Sequence, residues 1–452
     1  AGLKGGTHFE QLTPLGAHLA ALPVDVRIGK LILFGAIFGL VDETLTIAAA
    51  LSHRSPFLSP FDKRDQADAA KRSFASGASD HLAVLKAYTE FDATPGQARF
   101  EFARENFLGI KSLQTIGQLK RQLLELLSDA GFVPSGLRAR HVEAIGRRGG
   151  GGDGVKLALA QAAAGEIGGP GGGRDGDWAC ACGASVFASK QRCFRCNAPR
   201  PAAAASDAAT PPPGAAASRE ERRFDLDGEL YTRAEFVKEY LGAAEWDAAE
   251  RPPPPPPSHT MESAFTQAAA AADEPLLKSL LCAALFPQVI VAEAPKKEGK
   301  AGGKGGGGGL KFTVREEGAA EPVTVSIHPS SVNAKASRFE SRYLVYAEMI
   351  KTTQVYVRDC TPVSPFALML FGGALKAVGT AVKGEGDRLL SVDGWMKFKV
   401  KAAEVSLMIK VREELDALLR QKIAKPGLEL TRQGQGVLAA VRVLLAKSST
   451  EQ

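Results

Sequence analysis

The stretch YLVYAEMIKTTQVYVRD, residues 343–359, decides the fold of the C-terminal part of the chain. Apolar and polar residues alternate in YLVYAEM and again in TQVYVRD, which is the pattern of half-buried β-strands. The same alternation occurs upstream in LKFTVRE, residues 310–316, and in PVTVSIH, residues 322–328. Several short strands followed by the helical pattern of residues 401–424 predict a small β-barrel with flanking helices.

The N-terminal part of the chain, from Leu12 to about Phe132, has a helical pattern throughout. Helix start signals recur at Thr13-Pro14, Asp42-Glu43, Ser79-Asp80 and Ser112, each followed by apolar residues at helical spacing. The segment SLQTIGQLKRQLLELLSDAGF, residues 112–132, places four apolar residues on one face and ends at a glycine. The sequence therefore predicts a helical bundle here.

Two long segments have a composition that is typical of linkers. The chain of 452 residues contains 48 glycines and 26 prolines, and many of them are concentrated in residues 133–176 and 201–274. Such segments cannot bury enough apolar surface to fold, so we expect disordered linkers. Within the second segment, residues 222–250 are rich in aromatic residues, and residues 224–246 are predicted as a short helix that binds a protein partner. A marginal helix without a partner is the alternative.

Charge and hydropathy restrict the class of protein. The formal net charge of +6 favours polyanionic partners such as nucleic acid. The longest apolar run, residues 31–41, has 11 residues, whereas a helix needs about 20 to cross a bilayer. We therefore expect an intracellular protein, nuclear or cytoplasmic, with no membrane partner.

Four of the six cysteines lie close together in DWACACGASVFASKQRCFRCNAP, residues 177–199. Cys180, Cys182, Cys193 and Cys196 have the spacing C-x-C-x10-C-x2-C, in which two ligand pairs could close around one tetrahedral zinc ion. In a reducing compartment clustered thiols are more often metal ligands than disulfides. The sequence therefore predicts a zinc finger over residues 177–200, and a fold this small would depend on its metal.

Both terminal blocks resemble one family. The phrases LTPLGAHLAALPVDVRIGKLILFGAIFG (12–39) and ENFLGIKSL (105–113) are similar to the winged-helix remnant and helical bundle that follow the motor of DEAH-type DExH-box RNA helicases. The phrases LLKSLLCAALFPQV (276–289), IHPSSVN (327–333) and VDGWMKFK (392–399) resemble the oligonucleotide-binding barrel of that family. The resemblance covers residues 7–132 and 275–424, and residues 425–452 are left as a C-terminal helix or tail. It implies an accessory region that closes over single-stranded RNA, with Lys351 and Arg358 as contacts to the RNA backbone.

The motifs of an ATP-hydrolysing motor are missing from the sequence. Neither the phosphate-binding loop GxxxxGK[ST] nor an acidic DEAH motif for magnesium occurs, and GGKGGGGG, residues 302–309, is better explained as a flexible insertion. We therefore expect no ATP hydrolysis by this chain alone. ATP and magnesium would be cofactors only if motor domains precede Ala1, as in the tail of a longer helicase.

The cysteine segment resembles the Ran-binding-protein type of zinc finger, since Trp178 precedes the first pair and the last three ligands fit the pattern. Ubiquitin-binding members have Thr-Phe after the second cysteine, whereas this chain has Gly183-Ala184. The resemblance therefore implies binding of single-stranded RNA, with a purely structural zinc site as the alternative. The implied RNA contacts are Asp177, Trp178, Phe187, Lys190, Arg192 and Arg195.

The predicted fold class is a multidomain α plus β protein, with an N-terminal helical bundle, a small zinc finger in disordered linkers and a C-terminal OB-like barrel. Three functions remain open at this point. The chain could be the RNA-binding accessory region of an ATP-dependent helicase, whose zinc finger captures single-stranded or structured RNA. It could instead be an RNA-binding protein without a motor. As a third alternative, the zinc finger and residues 224–246 could serve a protein-interaction adaptor.

Overall fold

The computed structural model describes residues 12–149, 152–164, 261–293, 310–315, 321–378 and 387–448, and short paired segments between residues 178 and 232. Two compact units divide the chain. One is drawn from residues 1–172 and 273–452, and the other from residues 173–272. The first unit contains the helical bundle, the barrel and the C-terminal helices.

Nine helices form the N-terminal part of the first unit among the described residues. Their bounds are α1 Pro14–Ala21, α2 Val26–Phe38, α3 Val41–Leu51, α4 Arg64–Phe74, α5 Asp80–Ala93, α6 Ala98–Glu105, α7 Ile110–Asp129, α8 Ala139–Arg148 and α9 Val155–Ala163, with a 3-10 turn at Phe61–Lys63. The apolar faces of these helices meet in one core, in which Leu33, Leu45, Ile116 and Leu124 are fully buried. The predicted helical bundle is present.

Local capping explains where several of these helices begin. The Thr13 hydroxyl accepts a hydrogen bond from the backbone of α1, and Ser79 caps α5 by accepting from Leu82 N at 3.1 Å. Both residues were predicted as start signals. The start predicted at Ser112 differs from the structure, because α7 begins two residues earlier, after Gly109. Gly109 has no side chain that could cap the helix, and α7 begins without a side-chain cap hydrogen bond.

The linker predicted over residues 133–176 is not unstructured in its first part. It contains α8 and α9, and Leu137, Val142, Val155 and Ala158 are buried in the core of the bundle. Several glycines of this segment lie between the two helices and do not prevent them from forming. Gly154 has the left-handed conformation, with φ of +82°, just before α9. The glycine-rich composition of the whole segment obscured the helical spacing of its few apolar residues, so the two short helices were not predicted.

A buried charge cluster fastens this segment to the bundle. Lys120, only 3% exposed, lies 2.7 Å from Asp42 of α3 and 2.8 Å from Asp153, which precedes α9. Burial alone would lower the pKa of Lys120, but the two carboxylates raise it. Tyr88 donates a hydrogen bond to Asp153 at 2.9 Å, and Asp92 accepts one from the Asp153 backbone at 2.8 Å. Burial, and then the charge of Asp153, raises the pKa of Asp92 to about 6.

The barrel consists of five strands: β5 Val289–Glu293, β6 Lys311–Val314, β7 Val323–Ile327, β8 Tyr343–Lys351 and β9 Val355–Pro362. They close in the order β5-β6-β7-β9-β8, with β7 and β9 parallel and the other pairs antiparallel. Alternate side chains such as Ile290, Val325, Leu344 and Val357 fill the interior. This is the five-stranded Greek-key barrel of an OB fold, and four of its strands coincide with the alternating segments predicted from sequence.

Helices and a small sheet complete the first unit. They are residues 273–285 of α10 Met261–Leu285, α11 Pro365–Phe371, α12 Ala402–Ala424 and α13 Arg432–Ser448, and the sheet of β10 Leu375–Val378, β11 Asp387–Val392 and β12 Met396–Lys401. The helix α10 begins inside the segment predicted as a linker to residue 274, and the three-stranded sheet was not predicted. Cys282 and Cys360 are buried and unbridged core residues.

The second unit is described only at its paired segments. Strands β1 Trp178–Ala179 and β2 Ser185–Val186 are antiparallel, and an isolated bridge joins Arg192 to Pro199. Strands β3 Arg222–Phe224 and β4 Leu230–Thr232 form a second antiparallel pair, so the helix predicted for residues 224–246 is wrong at its start. The intervening Asp227-Gly228 is a turn-forming pair, which favours a hairpin. Residues 233–250 lie outside the described residues.

Within the described parts of the chain, no helix combines the length and the apolar composition needed to cross a membrane.

Candidate nucleic-acid interface

A groove of about 500 Å³ lies between the helices of the bundle and the barrel. One wall is formed by α2, by α5 and by residues 47–55 of α3 and the loop that follows it, and the other by residues 347–348 of β8 and 358–359 of β9. Its lining mixes cationic, anionic and apolar side chains. A groove of this composition offers hydrogen-bond donors and acceptors together, which is the combination needed to bind ribose hydroxyls and base edges.

Asp80 fixes the two walls against each other. This carboxylate at the start of α5 is 1% exposed and accepts hydrogen bonds from Val332 N at 2.9 Å, from Cys360 N at 3.0 Å and from the Ser331 hydroxyl. Lys71 lies 3.1 Å away and neutralises it. Cys360 belongs to β9, and Ser331 and Val332 belong to the loop between β7 and β8. Asp80 therefore joins helix α5 to the barrel through charge-assisted hydrogen bonds.

Two residues that line this groove each have a buried polar atom without a partner among the described atoms. His81 is 3% exposed, and its Nδ1 lies 2.7 Å from the Thr361 hydroxyl, whereas its Nε2 has no hydrogen-bond partner among the described atoms. Burial lowers the pKa of His81, so the ring is neutral near pH 7. The Nε atom of Arg358 is likewise buried without a partner. Unpaired buried polar atoms are costly and rare, and they identify this part of the groove as suited to a polar ligand.

The arginines of the groove differ in how far they are already engaged. Arg27 donates to Asp25 and, at 2.6 Å, to Gln288 beside the barrel, so it serves as a brace between α2 and the barrel. Arg358 pairs loosely with Glu348, its neighbour across β8 and β9, at 3.6 Å. Arg54 is exposed at the mouth of the groove, beside His53, and has no ion pair among the described residues. Arg54 and Arg358 are therefore the guanidinium groups with donors to spare.

The turn between β8 and β9 supplies a second exposed surface of the barrel. It consists of residues 352–354, and these residues and Lys351 at the end of β8 are exposed. In OB folds the connection between the fourth and fifth strands is one of the two loops that bind oligonucleotides. The other loop corresponds here to the β5–β6 connection, whose residues 294–309 lie outside the described residues.

Three protein families match the chain in order along its length. The helicase associated domain HA2, described as ratchet-like, matches residues 25–84, the OB fold matches residues 277–375, and the C-terminal domain in RNA helicases matches residues 388–447. The chain matches the C-terminal region of DExH-box RNA helicases. The groove lies between the ratchet-like helices and the OB-fold barrel of this helicase region.

The curated relatives are helicases that are much longer than this chain. Human DHX57 is 34% identical over 429 residues, which are 94% of this chain and 23% of that protein. The DExH-box ATP-dependent RNA helicase DExH1 of Arabidopsis thaliana is 31% identical over 438 residues, 96% of this chain and 29% of that protein. Human ATP-dependent RNA helicase DHX29 is 26% identical over 425 residues and is covered to 21%. The chain thus spans about a quarter of the length of these relatives.

The structure separates the residues that the sequence proposed as contacts. Arg358 lines the groove, whereas Lys351 ends β8, three positions beyond Glu348, the partner of Arg358 in the register. Trp178 lies in β1, and Arg192 is exposed at its bridge with Pro199. Asp177, Phe187, Lys190, Arg195 and the four predicted zinc ligands Cys180, Cys182, Cys193 and Cys196 lie outside the described residues. In the described residues no group of His, Cys, Asp or Glu could hold a metal ion.

Sequence reasoning missed Arg54 and the role of Asp80. His81 contacts Thr361 through one ring nitrogen and lines the groove, and it was not predicted from the sequence as a site residue. The sequence signal for this part of the site was the phrase SDHL, residues 79–82. Its capping residue, Ser79, is followed by two polar residues, Asp80 and His81, which a helix start does not require.

Proposed function

We propose that this chain is the RNA-holding C-terminal part of an ATP-dependent DExH-box RNA helicase. In this proposal the groove between the ratchet-like helices and the OB fold, together with the β8–β9 turn, holds a single RNA strand. ATP and magnesium are used by motor domains outside this chain, which acts by keeping the strand in place between steps of the motor. An RNA substrate also implies an intracellular location, in the nucleus or the cytoplasm.

One observation carries the proposal: two residues that line the groove, His81 and Arg358, each have a side-chain nitrogen that is buried and has no partner among the described atoms. The groove also contains Asp25, Asp80, Glu348 and Asp359, whose negative charges disfavour phosphate deep inside it. Bases and riboses are therefore the better ligands for the interior, and Arg54 at the mouth is placed to meet the backbone. This division of contacts suits an RNA strand that is gripped without regard to sequence.

Binding of a fluorescent single-stranded RNA of about 8 nucleotides, within the site size of one OB fold, tests this proposal by anisotropy. The double substitution Arg54→Ala and Arg358→Gln should weaken binding at least about tenfold, as expected for the loss of two charge-assisted contacts. Arg104→Ala is the matched control, because Arg104 is 78% exposed on α6 and does not line the groove. Equal affinity of the double variant and the control would refute the assignment of the groove.

We further propose that residues 177–200 form a zinc finger that captures RNA for the groove. The described pairings support this arrangement, because Cys180 and Cys182 lie in sequence between β1 and β2, while Cys193 and Cys196 lie between the bridged residues Arg192 and Pro199. Two short hairpins that each carry a ligand pair are the usual frame of a closed zinc site. Four thiolates could hold the ion in a structural role, and basic side chains around them would meet RNA.

Replacement of both Cys193 and Cys196 by serine tests this second proposal. Zinc content, measured by atomic emission on the purified chain, should fall from about one ion to none. RNA affinity should fall as well, while the groove variants and the zinc variants should have additive effects if the two sites act independently. Loss of zinc with unchanged RNA affinity would favour a structural site or an adaptor.

A further inference from the structure

The three-stranded sheet of β10, β11 and β12 has a core face and an outer face with different chemistry. Leu390, Val392, Met396 and Phe398 point into the main core of the unit. The alternate positions of β12 are the exposed lysines Lys397, Lys399 and Lys401. Since successive side chains of a strand point to opposite faces, these three lysines form one straight row on the outer face.

The register extends this row across the sheet. Lys397 is paired with Ser391, which in turn is paired with the exposed Lys376 of β10. The outer positions opposite Lys399 are Leu389 and then Val378, and Asp387 stands opposite Lys401. Among the residues whose side chains are described, the face therefore carries four lysines. None of the four lysines has an ion pair or hydrogen bond among the described residues.

One further observation indicates that this face receives a ligand. The Ser391 hydroxyl, between Lys376 and Lys397 in the register, is buried and has no hydrogen-bond partner in the described structure. The turn that precedes β12 packs elsewhere, since Trp395 contacts the main core and its ring centre lies 5.9 Å from the guanidinium of Arg315.

We propose that the outer face of this sheet is a second RNA-binding surface, which holds the phosphate backbone of a strand that extends beyond the groove. The ligand class, RNA, rests on the function proposed above, but the surface is separate from the residues of the groove. Lysines two positions apart on a strand are about 6.8 Å apart, which equals the rise of two stacked nucleotides. Successive lysines of the row can thus each contact one phosphate, at every second position of a stacked strand.

The composition of the face favours a nucleic acid over a protein partner. Protein interfaces are built around apolar and aromatic centres and are depleted in lysine. Here the exposed apolar side chain is Val378, at 39% exposure, and lysines dominate. Because lysine is a flexible point charge without planar donors, the surface is suited to backbone charge and not to base sequence.

The test compares the full chain with the variant Lys397→Gln, Lys399→Gln, Lys401→Gln, using single-stranded RNAs of about 8 and about 30 nucleotides at several salt concentrations. For the long RNA, loss of three phosphate contacts should reduce the slope of log K against log salt by about 2. The ratio of the RNA affinity of the unmodified chain to that of the variant should then fall by about 20-fold between 50 and 200 mM salt. Affinity for the short RNA should not change.

The matched control replaces Lys111, Lys410 and Lys425, which are exposed on other elements, by glutamine. Equal salt slopes for the sheet variant and this control would overturn the proposal. The proposal is also overturned if the sheet variant binds RNA as before and loses binding only to an acidic polypeptide tested as a second ligand. If the groove variants fail to affect the short RNA while the sheet variant still changes the slope, the proposed function of the groove fails and the sheet assignment stands. Thermal unfolding of each variant confirms that it is folded.

Discussion

Asp80 allows the sharpest quantitative prediction, because one carboxylate joins the bundle to the barrel. Asp80→Ala removes the acceptor for two backbone N–H groups, Val332 N and Cys360 N, and for the Ser331 hydroxyl, and it leaves Lys71 without its carboxylate. A buried donor left unpaired costs about 1–3 kcal/mol, and breaking a buried ion pair costs about 3–5 kcal/mol. The groups share one environment, so a total of about 4 kcal/mol is expected for the opening of this contact.

Hydrogen exchange followed by mass spectrometry measures this opening locally. Peptides that contain Val332 and Cys360 should exchange about 10³-fold faster in Asp80→Ala, since each 1.36 kcal/mol corresponds to a factor of ten. Asp80→Asn keeps one acceptor oxygen but loses the charge, and it should show about half of the free-energy effect. Asp62→Ala is the control, because Asp62 is exposed and makes no ion pair in the described structure. A rate change below about tenfold for Asp80→Ala would refute the assigned role of this residue.

Other positions give independent checks of the packing and the charges. Lys120→Met leaves the carboxylates of Asp42 and Asp153 without their cation. It should lower the free energy of unfolding in urea by about 3–5 kcal/mol. A loss below about 1 kcal/mol would contradict the buried cluster. The pKa of Asp92 is about 6 in the folded chain, above its ordinary value of 3.8, so its contribution to stability is present below pH 3.8 and is lost as the pH rises through 6. Asp92→Asn should therefore stabilise the chain relative to the unmodified protein at pH 7.5 but not at pH 4, and the opposite order would show that its charged form is favoured. Gly35→Ala should cost about 1–3 kcal/mol, because the added methyl group would overlap the side chain of Thr44 where α2 crosses α3, and an unchanged melting temperature would contradict this packing.

Sequence patterns predicted the elements whose residues have a clear period. The alternation in residues 343–359 identified β8 and β9, and the same signal identified β6 and β7. Strand β5 was missed because its residues VIVA are buried at successive positions, so no alternation is present to distinguish it from the end of the preceding helix. The helices α8 and α9 were missed because glycine dominates the composition around them.

The groove could not be predicted in the same way. Its lining comes from helices and strands far apart in sequence: His81 and Thr361, for example, are separated by 280 residues and meet only in the folded chain. The sequence predicted Arg358 as an RNA contact on the basis of family resemblance, and the structure places this residue in the lining of the groove. Arg54 carried no such signal, since an exposed arginine in a loop is ordinary until the neighbouring walls are known.

The most direct test of the groove is photocrosslinking of the full chain to a single-stranded RNA that carries a photoreactive uridine, with the crosslinked peptides mapped by mass spectrometry. The account predicts crosslinks in residues 53–55, in α5 near His81 and in residues 347–359 of the barrel, and their loss when unlabelled RNA competes. Crosslinks confined to other parts of the chain, with these segments unlabelled, would contradict the claim that RNA lies between the ratchet-like helices and the OB fold.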